Sequence, residues 1–183
     1  MKKLLLILFA SINTFCYSQE KLFDVLPLNN DKIYYSGIVN VDSINALELY
    51  HRGKKWFIDS FNSAKDVIQL DDKENFEIVG KGFFEELWAV TFYASIQVKV
   101  WQTIRIQCKD GRFKYEFYDF RIKYYVPADQ YSKSADIDMT LEEWGTGRKS
   151  NAKKFYEKVN TNVNELKLDL IKKMRSKVQN DNW

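Results

Sequence analysis

The clearest periodicity in the chain is a two-residue alternation of apolar and polar side chains from Ile96 to Cys108. A period of two is typical of a β-strand that buries one face. The Asp110-Gly111 dipeptide that follows is the kind of two-residue turn that closes a hairpin. This turn fixes a register in which apolar and aromatic residues face one another. The predicted pairs are Cys108 with Phe113, Ile106 with Tyr115, and Ile104 with Phe117.

The alternation changes phase beyond Phe117. The apolar positions there are Tyr118, Phe120, Ile122 and Tyr124. Val100 opposite Phe120, and Val98 opposite Ile122, would restore one apolar face only if the strand ending at Cys108 contained an extra residue. We therefore predict a β-bulge between Trp101 and Thr103.

The residues before the hairpin predict a strand and then a helix. Lys32–Val41 is rich in β-forming residues. Asp42 or Ser43 is expected to cap a helix that runs to about Phe61. Steps of three and four residues predict the apolar stripe of this helix. Its members are Ala46, Leu47, Tyr50, the stem of Lys54, Phe57 and Phe61.

Two more strands are predicted between this helix and the hairpin. They cover Asp66–Leu70 and Phe76–Phe84, with a turn over 71–75. Gly80 and Gly82 share one face of the second strand. Two glycines on one face indicate either the close approach of a helix or a bend in the backbone.

The C-terminal part predicts an irregular loop and a long helix. Residues 126–148 are polar. Within them Thr140–Trp144 predicts a one-turn helix, since Thr140 and Glu143 have the spacing of a capping box. An amphipathic helix is predicted over 149–178. The basic side of this helix would also suit binding to a membrane surface or to nucleic acid. Its apolar stripe would also suit a coiled-coil dimer. The regularity of the stripe favours packing on the sheet. The stripe comprises Ala152, Tyr156, Val159, Val163, Leu166, Leu170, Met174 and Val178.

Together these elements predict one α+β domain, with its core over 32–125. The order is strand, helix, four antiparallel strands and long helix, and both helices are expected on one face of the sheet. A short lead-in over 19–31 precedes this core, and a tail over 179–183 follows the long helix.

The N-terminus has the pattern of a secretory signal peptide over residues 1–18. Lys2 and Lys3 precede the apolar run Leu4–Phe9, and Cys16 and Ser18 are small residues before a cut at Gln19. We expect export to the periplasm or the medium, with no transmembrane segment after cleavage. Lipid anchoring through Cys16, or an uncleaved membrane anchor, is the less favoured alternative.

The composition excludes some classes of protein. The 13 Phe, 11 Tyr and 5 Trp residues predict a packed interior rather than a disordered chain. Without Lys2 and Lys3, 26 basic residues remain against 25 acidic ones, a net charge of +1. This balance and the export signal argue against nucleic-acid binding.

Reactive side chains are scarce in the sequence. His51 is the only histidine, and we expect it at the edge of its helix rather than in a metal site, because metal sites need clustered ligands. Cys108 is predicted to be a buried, inert thiol on an inward strand position. We therefore predict no catalytic residue, cofactor or metal, and expect that the protein is not an enzyme.

Several local motifs carry a family resemblance. They are Leu26-Pro27-Leu28-Asn29, the segment from Asp66 to Asp71, Gly80-Lys81-Gly82, and the segment from Lys109 to Phe113. The chain resembles a family of exported Gram-negative bacterial proteins of unknown function with a TATA-binding-protein-like (TBP-like) fold. The resemblance covers Leu26 to Tyr124 and implies that fold, without implying DNA binding, an activity or catalytic residues.

If both helices lie on one face of the sheet, the other face is available to a partner. The predicted partner-binding side chains are Phe83, Trp88, Tyr93 and Trp101. The leading hypothesis is a non-enzymatic binding or interaction domain of the cell envelope, whose partner is another envelope protein. The alternative hypothesis is a carrier of a small apolar ligand held between the long helix and the sheet.

Overall fold

The computed structural model describes residues 21–22, 24–61, 67–89, 95–128, 132–146 and 149–176. The predicted signal peptide with Cys16, Tyr93 and the 179–183 tail lie outside the described residues. The strands are β1 (Lys21–Leu22), β2 (Leu26–Asn29), β3 (Lys32–Ile33), β4 (Tyr35–Asn40), β5 (Ile68–Asp72), β6 (Glu77–Ala89), β7 (Ser95–Lys109), β8 (Arg112–Val126) and β9 (Ala135–Thr140). The helices are α1 (Ala46–Ser60), α2 (Leu141–Trp144) and α3 (Lys149–Arg175).

The main sheet is antiparallel, with strand order β4-β8-β7-β6-β5, and β9 also pairs with β8. Within the predicted lead-in, β1 and β2 form a small sheet together with β3. At the centre of the main sheet, the predicted hairpin is confirmed. Cys108 pairs with Phe113, Ile106 with Tyr115, and Ile104 with Phe117.

The β-bulge lies where it was predicted, but the strand that carries the extra residue is the other one. Trp101 pairs with Arg121 and Thr103 pairs with Tyr118, so the extra residue belongs to β8. Val100 therefore faces Ile122 and not Phe120. Asp119 takes up the extra length with φ of 55°, a left-handed conformation that Asp adopts more readily than most residues.

The expectation of an irregular loop over 126–148 is wrong in part, because β9 pairs with β8 from Thr140 to Ala135. Acidic residues alternate with Ile137 and Met139 along β9. Because of these acidic residues, the sequence predicted a loop here. The short helix after it is confirmed together with its capping box. Thr140 Oγ1 accepts a hydrogen bond from the Glu143 backbone N–H, and the Glu143 carboxylate accepts one from that of Thr140.

Helix α1 begins later than expected, and its cap is Asn45 rather than Asp42 or Ser43. The Asn45 side chain accepts a hydrogen bond of 2.8 Å from the backbone N–H of Glu48. Ser43 lies in the preceding turn with φ of 66°. The predicted stripe is partly wrong, since Leu47 is 40 % exposed. The buried side of α1 consists of Ala46, Leu49, Tyr50, Gly53, Trp56 and Phe57.

The two glycines of β6 bring α1 close to the sheet, as predicted. A Cβ atom at Gly80 would lie 2.5 Å from Phe57 Cε1, and one at Gly82 would overlap the ring of Phe61. Both aromatic rings therefore occupy space that only glycine leaves free on this face.

Helix α3 packs on the same face of the sheet as α1. Its predicted stripe is buried from Ala152 to Met174, with Leu166 half-buried, and Val178 lies outside the described residues. Trp56 Nε1 of α1 donates a hydrogen bond of 2.9 Å to Asp169 Oδ2 of α3, which fixes one helix against the other. Within the part of the chain that the structure describes, none of the helices has the length and apolar character needed to cross a bilayer.

Candidate functional site

The surface of the sheet opposite α1 and α3 is called the open face here. On β6, β7 and β8 it is formed by the alternate positions that point away from the helices. At its centre lie Phe83 and Trp101, which pair directly across β6 and β7. Their ring centroids are 4.7 Å apart, within the range of favourable aromatic contacts.

Two lysines lie over these rings. Lys99 Nζ is 4.7 Å from the ring centroid of Phe83, and Lys123 Nζ is 5.6 Å from that of Trp101. At these distances the ammonium groups are attracted by the ring faces, at about 0.5–1 kcal/mol for an exposed pair. The aromatic pair is therefore partly screened from water by the protein's own cations.

The same lysines belong to a charged row that crosses four strands. Glu85, Lys99, Lys123 and Asp138 are consecutive register partners, so the charges run negative, positive, positive, negative. Lys123 Nζ lies 2.8 Å from Asp138 Oδ2, and Lys99 Nζ lies 3.8 Å from Glu85 Oε1. Ion pairs with both partners this exposed contribute little to stability, and they leave the charges accessible to a partner.

Exposed apolar side chains also lie on the other side of the charged row, toward the β9 end of the sheet. Leu87 is 54 % exposed and Tyr125 is 56 % exposed. Phe83, Leu87, Trp101 and Tyr125 are called the aromatic patch below. A shallow hollow of about 470 Å³ lies beside it, lined by Tyr125 together with the charged row.

The structure separates the four side chains that the sequence put on one surface. Phe83 and Trp101 lie on the open face, and Tyr93 lies outside the described residues. Trp88 is on the opposite face, where its ring centroid is 5.0 Å from that of Trp144 and 5.8 Å from that of Tyr124. Trp88 is five residues from Phe83 along one strand, so the two side chains must point to opposite faces.

Two members of the aromatic patch were missed from the sequence, although a signal for them existed. Tyr124 was predicted among the apolar positions of its strand and contacts Trp88, so alternation puts its neighbour Tyr125 on the open face. Leu87 lies in an apolar segment that masks its alternation with Glu86.

The other end of the open face contains a buried acid, Glu116, which is only 6 % exposed. Its carboxylate accepts a hydrogen bond from the Tyr34 hydroxyl and lies 2.5 Å from Lys114 Nζ and 3.6 Å from Arg105 Nη1. Burial alone would raise the pKa of Glu116, but the contacts with Lys114, Tyr34 and Arg105 outweigh it and lower that pKa. Burial and the same hydrogen bond raise the pKa of Tyr34 to about 12.

Two side chains that can act as nucleophiles, Cys108 and Tyr50, have raised pKa values. Cys108 is buried, as predicted, and burial raises the pKa of its thiol to about 12. His51 is exposed at the edge of α1 and contacts the Tyr50 ring. Burial and a hydrogen bond to Asp71 raise the pKa of Tyr50 to about 12. Among the described residues no three His, Cys, Asp or Glu side chains are grouped as a metal site requires.

The space between α3 and the sheet was the site expected for an apolar ligand. Tyr156, Val159 and Val163 fill it and have no exposed surface. An open groove of about 540 Å³ lies at the edge of this region, between α1, β6 and α3. Its walls include the carboxylates of Asp59 and Asp169, so its chemistry does not match a purely apolar ligand.

Comparison with known proteins identifies the sheet region. Residues 35–123 match a family described as a domain of unknown function (DUF4468) with TBP-like fold. A TBP-like protein from Parabacteroides distasonis superposes with a TM-score of 0.64 at 18 % identity, covering 82 % of this chain and 97 % of that one. A DUF4468 family protein from Bacteroides ovatus superposes with a TM-score of 0.61 at 17 % identity, covering 84 % and 92 %. At these identities the likeness concerns the fold alone.

One curated relative also matches. Cln5-like protein 1 of Dictyostelium discoideum is 31 % identical over 126 residues, which cover 65 % of this chain and 32 % of that protein. The chain thus spans about a third of the length of this relative. Residues 35–123 thus match the DUF4468 family of domains of unknown function, and the two superpositions show that the chain has the TBP-like fold.

Proposed function

We propose that this chain is an interaction domain of the bacterial cell envelope, that it catalyses no reaction, and that its aromatic patch binds a protein partner. The observation that carries the proposal is the exposure of Leu87 and Tyr125 on the same face as the Phe83–Trp101 pair, with the charged row between them. Aromatic side chains held in fixed positions are the residues on which protein interfaces depend most. These side chains lie on strands, which position a binding site more precisely than loops do.

Charge complementarity indicates what kind of partner fits. Lys99 and Lys123 lie in the middle of the charged row, and Glu85 and Asp138 lie at its ends. A protein segment with acidic residues at its centre and basic residues on either side would match this order. A polyanion such as nucleic acid would meet the two outer carboxylates as well, so we propose a protein partner.

Two further observations support the remaining parts of the proposal. The signal-peptide pattern over residues 1–18 supports a location in the periplasm or outside the cell. The raised pKa of Cys108, together with the absence of a metal-binding group among the described residues, supports a role without catalysis.

The test is site-specific photo-cross-linking in envelope fractions, followed by a binding measurement. A photoreactive residue at position 87 or 125 should give an adduct of defined mass. The same residue in place of Leu168, which is 61 % exposed on α3, is the matched control and should not give that adduct. The protein identified in the adduct is then purified and titrated with the unmodified chain.

The charge-reversed variant Lys99→Glu/Lys123→Glu should bind this partner about tenfold more weakly or worse, with most of the loss at low salt. Equal affinity of the two chains would contradict the proposal. So would adducts that form equally from positions 87, 125 and 168. An adduct whose mass is twice that of the chain would replace the envelope partner by a second copy.

A further inference from the structure

We propose that the hairpin end of the open face holds a second site, which binds a small organic anion. The site is a hollow of about 310 Å³ beside the Asp110-Gly111 turn, and is called the hairpin hollow below. Its volume is at the lower end of the range for small-molecule sites. It lies six residues along β7 from Trp101 and does not depend on the function proposed for the aromatic patch.

The hairpin hollow is lined by positive charge that has no acidic partner within the described part of the chain. Lys109 and Arg112 line the hollow and are the last register pair before the turn, so two like charges face each other across the hairpin. Like charges directly opposite each other on neighbouring strands destabilise a sheet. Among the described residues no carboxylate lies within 4.0 Å of either side chain's charged group. A bound anion would relieve this repulsion.

Lys109 and Arg112 differ in this respect from the rest of the open face. The other basic side chains of that face each have an acidic partner. These pairs are Lys81 with Asp119, Lys99 with Glu85, Arg105 with Glu77, Lys114 with Glu116, and both Arg121 and Lys123 with Asp138. Unpaired charge at Lys109 and Arg112 is thus a local feature of the hairpin hollow.

The acid nearest in sequence does not neutralise the pair. Asp110 lies between Lys109 and Arg112, but its Oδ1 accepts a hydrogen bond of 2.8 Å from the backbone N–H of Ala46 at the start of α1. Glu77, one strand away, is held by Arg105 Nε at 2.8 Å and by Gln107 Nε2 at 2.9 Å. Both carboxylates are directed to other partners.

The walls of the hollow add donors and an apolar surface. Gln107 and Asn75 line it, and each has one amide N–H engaged, with Glu77 and Asp72 respectively. A primary amide has two such N–H groups, so one on each remains for a ligand. Ile38 is 67 % exposed at another wall. An anion with a short apolar chain would match these walls.

Backbone hydrogen bonds hold the hollow in shape. The N–H of Gly111 donates to the carbonyl of Ile44 at 2.8 Å, and that of Val41 donates to the carbonyl of Gly111 at 2.8 Å. On the other wall, the N–H of Cys108 donates to the carbonyl of Phe76 at 3.0 Å. A site that is already formed loses little conformational entropy when a ligand binds.

The experiment is an NMR titration of the full ¹⁵N-labelled chain with sodium phosphate, sodium acetate and sodium butyrate, each against sodium chloride of equal ionic strength. Butyrate should cause saturable shifts of the amide signals of Lys109, Arg112 and Lys114. The double variant Lys109→Gln/Arg112→Gln should lower the affinity about tenfold or more. Lys154→Gln, which removes an exposed lysine on α3, is the control and should bind like the unmodified chain.

The probes also separate the possible ligand classes. Tighter binding of butyrate than of acetate, abolished by Ile38→Ser, would support an organic anion that contacts Ile38. Equal binding of phosphate, acetate and butyrate would overturn the organic-anion assignment. No saturable shift beyond that of sodium chloride at about 20 mM, or shifts retained in the double variant, would overturn the site itself. Far-UV circular dichroism checks that the double variant is folded, and Lys109→Gln alone repeats the test if it is not.

Discussion

The two faces of the central sheet are covered by different means. On the helix side, Phe57 and Phe61 fill the space above Gly80 and Gly82, and the aromatic side chains of α1 and α3 exclude water. On the open face, charged side chains pair across strands over partly exposed rings. The first face derives its stability from burial, and most of the second remains in contact with water, apart from buried side chains such as Glu116.

This difference indicates how the domain can keep its fold while the proposed binding surface changes. Burial of apolar area is the main favourable term in folding, at about 25 cal/mol per Å². Exposed ion pairs contribute on the order of 0–1 kcal/mol each. Substitutions at the exposed positions of the open face are therefore expected to cost little in stability. Substitutions of buried residues on the helix side are expected to destabilise the fold.

The largest effect is expected for Phe57→Ala on the helix side. Phe57 has no exposed surface, and its ring centroid is 5.1 Å from that of Trp56. Removing the ring would leave a cavity beside Gly80, so the free energy of unfolding should fall by about 3–5 kcal/mol. Urea unfolding followed by tryptophan fluorescence measures this loss.

The matched control for Phe57→Ala is its neighbour Ile58→Ala. Ile58 is 50 % exposed on the outer side of α1, and its removal should change the free energy of unfolding by about 0.5 kcal/mol or less. Similar losses for the two variants would show that the helix side is not the source of stability.

Local patterns explain why much of the fold could be predicted. The hairpin register follows from a two-residue turn and the alternation on either side of it, and both are visible within a few residues. The close approach of α1 was likewise signalled by Gly80 and Gly82 on one face of β6. These features need no knowledge of distant parts of the chain.

Features that depend on distant contacts were harder to predict. β9 is a strand because β8 offers it an unpaired edge, and its own acidic residues gave no sign of this. The extra residue at the bulge belongs to β8 because Asp119 adopts a left-handed conformation there, whereas the alternation could be restored by a shift in either strand.

The candidate site shows the same division. Phe83 and Trp101 could be predicted from alternation along their strands. The error at Trp88 came from grouping residues by chemical type, since strand parity separates Trp88 from Phe83. The unpaired charges of Lys109 and Arg112 became evident only when the ion pairs of the other strands were known.

An intermediate effect is expected for Glu116→Gln, because Glu116 is the one charged residue of the open face with a buried side chain among the described residues. The variant leaves Lys114 and Tyr34 without their ionised partner. At pH 7 the free energy of unfolding should fall by about 1–3 kcal/mol. Glu74→Gln, in the exposed turn before β6, is the control and should have little effect at that pH.

The pH dependence of this loss follows from the lowered pKa of Glu116. A carboxyl group whose pKa is lower in the folded protein than in the unfolded chain stabilises the fold above the unfolded pKa, about 4.5. That contribution disappears as the pH falls through the folded pKa. The difference between the unmodified chain and Glu116→Gln should therefore be full at pH 7 and should shrink below about pH 4.5. A difference that grows on acidification would contradict this assignment.

The smallest effect is expected for Lys81→Met, which removes an ion pair from the middle of the open face. Lys81 Nζ lies 3.4 Å from Asp119 Oδ2, and the two side chains are 47 % and 44 % exposed. Water screens such a pair, so the free energy of unfolding should change by about 0.5 kcal/mol or less. Urea unfolding in low salt and again in about 1 M sodium chloride measures the change, and salt should remove what remains of it. A loss above about 1 kcal/mol would mean that the open face stabilises the fold through its exposed charges. In that case its surface could not vary independently of stability, and the contrast between the two faces would fail.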